Sequence, residues 1–249
     1  METLSYGFRN VFMNLRIRKA NERGTAEHGW LHANFSFSFA NYYDPEWSGF
    51  HSLIVMNNDI IEPGGGFPTH PHRDAEIFTY VISGELEHRD SMGNGSVIKP
   101  GNLQYMSAGS GVTHSEFNPS NEHQTELYQI WMLPNQSGGD PLYAEKKLSH
   151  PDSSDGMSLL FSSDGKNGSS AIRQDAEFWL GKCKNPNVLS LDPVSTLPHA
   201  WIQAVSGSVQ VGDYLLGKAD GLAIENLNQS IELTCAENST FFLFRLPAT

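Results

Sequence analysis

Short runs rich in β-branched and aromatic residues, closed off repeatedly by Gly, Asn, Asp and Pro, restrict this chain to a narrow set of folds. HSLIVMNNDII, EIFTYVISGELEH, GSVIKPG, LYQIWMLP, AWIQAVSGSVQVG, SIELTCA and STFFLFRLP all fit strands buried on at least one face. Helical signals are weak and local. An all-β chain is therefore expected, arranged as a sandwich or as barrels of the jelly-roll kind. DSMGNGS sets an Asn-Gly pair between two such runs and predicts a hairpin there.

The pattern occurs twice. YVISGELE in the first half has an echo, QAVSGSVQ, in the second, each a strand, a Ser-Gly turn and another strand. A glycine-punctuated block follows each, and then an apolar strand ending in Leu-Pro, LYQIWMLP in one copy and FFLFRLP in the other. PNQSGGDP and SSDGKNGSS bracket the region between the copies. The boundary is placed there, giving units 1–136 and 137–249.

At 249 residues the chain can bury a real core without a disulfide scaffold. Cys183 and Cys235 are its two cysteines, far apart, and read as the reduced residues of a cytoplasmic protein. The N-terminal residues mix charges into their apolar positions, unlike a secretion leader, and no run is long enough to span a membrane. A net charge of −12 opposes attraction to phosphate backbones, so no nucleic-acid partner is expected.

Laying the copies side by side on Gly84 and Gly207 exposes a difference. His70 and His72 precede Gly84 by 14 and 12 residues, where the second copy has Pro193 and Ser195. The histidines are thus not required by the shared fold. On an extended segment, His70 and His72 point to one face while Pro71 points away. SAGSGVTHSEF supplies a second pair with the same spacing, His114 and Glu116. If the two strands are neighbours in one barrel, three imidazoles and a carboxylate converge. His28, His32, His51, His88, His123, His150 and His199 lack such pairing and read as surface or satisfied core residues.

Three neutral imidazoles and one carboxylate suit a divalent first-row metal and, in octahedral geometry, leave two positions open for chemistry. A structural zinc site would close its tetrahedron, usually with cysteines, and none lies near these histidines. Iron, manganese, cobalt, nickel and copper all stay open on this evidence.

The stretch from GGGFPTHPHRDAEIFTYVISGELEHRD to SAGSGVTHSEFNPS resembles the signature region of the pirin family, within the bicupin branch of the cupins. WLHANFSFSFANYYDP upstream fits the same family, and the second half resembles its degenerate C-terminal cupin. The resemblance implies two jelly-roll β-barrels packed face to face, with metal only in the N-terminal one. It assigns His70, His72, His114 and Glu116 as metal ligands, with iron first among the metals. The broader cupin pattern has its glutamate ligand a few residues after H-x-H, which makes Glu76 a rival, or a residue that orients a histidine.

Bacterial pirin-like proteins are implied to be quercetinases, which open the central ring of a flavonol with molecular oxygen and release carbon monoxide. Glu116 would then be the catalytic base, with Phe67, Phe78, Tyr80 and Phe117 as candidate walls for a small aromatic substrate. The alternative implied by eukaryotic relatives is a metal- and redox-sensitive regulatory protein acting through a protein partner.

Overall fold

The computed structural model describes residues 12–148 and 156–248. His150 and the extreme N-terminal residues lie outside the described residues. Strands dominate. The first part of the chain forms β1 (Asn14–Arg18), β2 (Gly24–Glu27), β3 (Leu31–Phe35), β4 (Leu53–Ile61), β5 (Gly66–His72), β6 (Glu76–Ser83), β7 (Leu86–Asp90), β8 (Gly95–Ile98), β9 (Asn102–Ser107), β10 (Val112–Phe117), β11 (Thr125–Met132) and β12 (Leu142–Lys147). The second part forms β13 (Gly156–Ser162), β14 (Ser170–Ala171), β15 (Glu177–Cys183), β16 (Asn187–Leu191), β17 (His199–Ser206), β18 (Val209–Val211), β19 (Tyr214–Leu216), β20 (Gly221–Glu225), β21 (Ile231–Cys235) and β22 (Ser239–Leu246). No helix among the described residues is long and apolar enough to cross a membrane.

The strands build two copies of one arrangement. A seven-stranded sheet, β12-β9-β6-β11-β4-β3-β2, faces a four-stranded sheet, β5-β10-β7-β8; the second copy pairs β1-β20-β17-β22-β15-β13-β14 with β16-β21-β18-β19. The orders correspond strand for strand apart from the outer edge, where β14 follows β13 and pairs parallel while β2 precedes β3 and pairs antiparallel, and this is the duplication expected from the two Ser-Gly turns. Gly84 and Gly207 occupy equivalent turns at φ 74° and 66°, and a Cβ there would come within 2.5 Å of Gln124 or Ser239, at the start of β11 and β22. Only glycine fits both the dihedral and the space.

One strand of each large sheet comes from the far half of the chain. β1 pairs with β20 in the second sheet, and β12 pairs with β9 in the first. The hairpin expected at DSMGNGS joins β7 to β8, but Gly93 rather than the Asn-Gly pair takes the left-handed conformation, and Gly95 already begins β8. Asp90 explains this, because its Oδ1 accepts from the backbone N–H groups of Met92 and Asn94 and closes a longer turn.

The two large sheets pack face to face through the principal core, built from alternate residues of their strands. Phe78, Tyr80, Tyr105 and Tyr128 meet Phe161, Phe178, Trp201, Phe242 and Phe244 across it. Tyr80 stands edge-on to Phe242, with ring centroids 5.2 Å apart. The opposite faces line the barrels. In the second barrel that interior is filled by Leu191, Val209, Leu222, Leu233, Cys235 and Leu243. Cys183 and Cys235 are buried there and reduced. In the first barrel Leu31, Phe35, Val81, Leu86 and Leu127 fill one part of the interior, and the paired histidines line a cavity in the rest.

His51 and His199, read from sequence as ordinary residues, meet at the seam between the halves. Their rings stack at 3.8 Å, and each has a nitrogen close to Glu225 Oε2, at 2.9 and 2.6 Å.

Candidate metal centre

β5 and β10 are antiparallel neighbours, with His70 opposite His114 and His72 opposite Val112. β5 is a sheet edge, which accommodates Pro68 and Pro71 without breaking a ladder. The register slips between His114 and Glu116, where β5 has an extra residue. Such a bulge re-aims side chains. The three imidazole rings converge, with centroid separations of 4.5 Å for His70 and His114, 4.8 Å for His70 and His72, and 4.8 Å for His72 and His114.

The rings offer lone pairs to one point. His70 Nδ1 lies 2.8 Å from the Pro68 carbonyl, which fixes its proton there and leaves Nε2 a bare acceptor, 3.0 Å from His114 Nε2. Burial, with His114 and His70 alongside, pushes His72 down to about 4, although Glu116 opposes the shift. Burial, then His70 and His88, push His114 down to about 3. Both rings are therefore neutral at physiological pH, as metal ligation requires. The donor set fits a divalent cation.

Glu116 lies in the same cavity, against the other side of His114. A carboxylate oxygen, a His114 nitrogen and a His88 nitrogen all fall within 4.8 Å of one another. Gln129 donates to both carboxylate oxygens, at 2.9 and 2.8 Å, and the Thr79 hydroxyl donates at 3.2 Å. The acid is therefore fixed in orientation by residues of the large sheet. His88 was passed over in the sequence. It is fully buried, its Nδ1 is 3.5 Å from His114 Nδ1, and its Nε2 is 3.3 Å from Asp90 Oδ2. The spacing of His88 and Asp90, again i and i+2, was the available signal. β7 lies directly beside β10, with Glu116 opposite His88 and His114 opposite Asp90.

Glu76 lies elsewhere. It is 1% exposed and faces the seam between the halves, accepting from the hydroxyls of Tyr105 and Ser107 and from the backbone N–H of Arg173. Asp74, with φ 50°, breaks the alternation between His72 and Glu76, so their apparent parity does not carry through.

Of the four candidate walls, Phe67 lines the cavity, beside Phe39, Ile77 and Trp131. Phe78 and Tyr80 belong to the core between the sheets, and Phe117 lies over Gly66. Asn57 and Asp59 of β4 also line the cavity. Burial, and then Glu116, raise the Asp59 carboxyl to about 8, with Arg23 opposing.

The pirin family model matches residues 16–132, and a model described as the quercetinase C-terminal cupin domain matches residues 159–246. The chain is 44% identical over 231 residues to a protein of Escherichia coli strain K12 named quercetin 2,3-dioxygenase, covering 93% of this chain and 98% of that one. A pirin-like protein of Caulobacter vibrioides is 37% identical over 223 residues, covering 88% and 94%. Among solved structures, the Escherichia coli bacterial pirin YhhW in complex with nickel(II) superposes with a TM-score of 0.89 at 42% identity, covering 95% of this chain and 100% of that one.

Proposed function

Because the chain belongs to the pirin family, we propose that it is a metal-dependent dioxygenase that opens the central ring of flavonols such as quercetin and releases carbon monoxide. The observation that carries this reading is the convergence of His70, His72 and His114, two of them held neutral and the last buried, with a fixed carboxylate beside them in an apolar-walled cavity. These three imidazoles and Glu116 would hold one divalent first-row metal, with iron first and manganese, cobalt, nickel or copper as alternatives. The nickel complex of the similar bacterial pirin supports a divalent ion in this family. Bound there, the metal supplies Lewis-acid polarisation of the flavonol 3-oxygen.

The chain's own residues account for the rest. Glu116 accepts the proton of the flavonol 3-hydroxyl, and Gln129 and Thr79 hold its carboxylate in place as it does so. Deprotonation makes the ring electron-rich, and molecular oxygen adds across it before the ring opens. Phe39, Phe67 and Trp131 surround the reacting ring with apolar surface and limit water. A deprotonated flavonol in an apolar-walled cavity reacts with dioxygen rather than taking a proton back from solvent.

The test is turnover. Protein loaded in turn with each of the five metals and given quercetin in air should consume the flavonol and evolve carbon monoxide in equal amounts. Absence of both with every metal would overturn the reading.

A further inference from the structure

The cavity holding the imidazoles measures about 180 Å³. Pockets for drug-sized ligands begin at roughly 300 Å³, so this one alone is small for a flavonol. It does not end at the histidines. Phe39, Asn57, Asp59 and Phe67 line both this cavity and a second space of about 700 Å³, walled further out by Ala26 and Trp30. The two spaces therefore adjoin along these four residues, which form the neck between them.

The neck carries buried polar atoms without a hydrogen-bond partner among the described residues. Asn57 and Asp59 are each 3% exposed, and Asn57 Oδ1 and Asp59 Oδ1 have no hydrogen-bond partner in the chain. Buried acceptors are normally satisfied, so two orphans on residues that line both spaces mark where donors of a ligand belong. Phe39 and Phe67 flank them with aromatic surface. The combination suits a flat molecule with hydroxyl groups on its edge.

Resting on the flavonol reading, we propose that the second space is a subsite for the part of the substrate projecting beyond its metal-chelating ring, and that Asn57 and Asp59 accept its phenolic hydroxyls at the neck. The site would thus select extended polyphenols over single-ring chelators.

The experiment uses the nickel-loaded protein and two probes. One is quercetin; the other is a single-ring 3-hydroxy-4-pyranone with the same chelating unit. Calorimetric titration of Ala26→Trp, which fills the outer space, should show quercetin binding weakened at least about tenfold and pyranone binding unchanged. The wild type gives an independent readout. Quercetin should slow amide hydrogen exchange in β2 and β3, and the pyranone should not. Undiminished quercetin affinity in Ala26→Trp, or identical exchange patterns with the two probes, would overturn the subsite. The two readings fail separately: binding of this pattern without flavonol consumption removes the dioxygenase and keeps the subsite, whereas wild-type turnover kinetics in Ala26→Trp do the reverse.

Discussion

His88 stands 3.5 Å from His114, Nδ1 to Nδ1, with its own Nε2 against Asp90. If His88 keeps its proton on Nε2 for Asp90, its Nδ1 accepts from His114, which fixes the His114 tautomer with Nε2 bare toward His70. Outer partners of this kind typically govern metal affinity by about 10–100-fold. His88→Ala should therefore weaken metal binding by about that factor while leaving all four proposed ligands in place. Competition with a chromophoric chelator measures it, and unchanged affinity would show the contact to be packing alone.

The ligands themselves should behave differently from their supports. His72→Ala should lose the metal and activity yet keep native circular dichroism, since the barrel rests on apolar strands rather than on the site. Metal content by elemental analysis decides the matter; an unfolded variant would make the site structural.

Glu116→Gln keeps the shape of the side chain and removes its basicity. Loss of a positioned base costs about 10²–10⁴ in rate, so turnover should fall by that order, with weaker metal retention as well. Single-turnover kinetics at saturating metal separate the two effects. Full activity would remove Glu116 as the base.

Asp59 and the buried imidazoles impose opposite pH dependences on the metal-free protein. Folded Asp59 keeps its proton up to about 8 against an ordinary value of 3.8, so the unfolded chain binds fewer protons in that window and stability falls as pH rises. His72 and His114, held down to about 4 and 3 against 6.5, make stability fall as pH drops below 6.5. Two imidazoles outweigh one carboxyl on the acid side. Stability should therefore peak near 6.5, and Asp59→Asn should flatten the decline toward pH 8 while steepening the one below 6.5. Urea midpoints at pH 5, 6.5 and 8 test this, and a variant as alkali-sensitive as the wild type would contradict it.

Glu76→Ala should leave metal content unchanged. It strips the acceptor from Tyr105, Ser107 and the Arg173 N–H in a buried seam, and unsatisfied buried groups cost about 1–3 kcal/mol each. Denaturant unfolding should show a loss of at least about 2 kcal/mol. Metal loss without destabilisation would restore Glu76 as a ligand.

The residues most legible in the sequence were those whose role follows from local alternation. The pairs His70 and His72, and His114 and Glu116, each sit within one strand, and period-two spacing brought each pair into one barrel despite the slip in register between the strands. Alternation failed for Glu76 because one left-handed residue, Asp74, resets the parity. It could not separate Phe67 from Phe78 either, since a strand buried on both faces gives no polar face to mark the interior. His88 was obscured for a different reason, as its partner strand is known only once β7 and β10 are paired. The exchange of β1 and β12 is equally non-local, since edge strands carry little pattern of their own.

That exchange makes each half incomplete without the other. Expressed alone, a half lacking its borrowed strand would expose the edge of β9 or β20, a template for aggregation. Expressed together, two fragments divided between β11 and β12 would each carry the strand the other needs, so mutual complementation rather than independent refolding is how a severed chain would regain its shape.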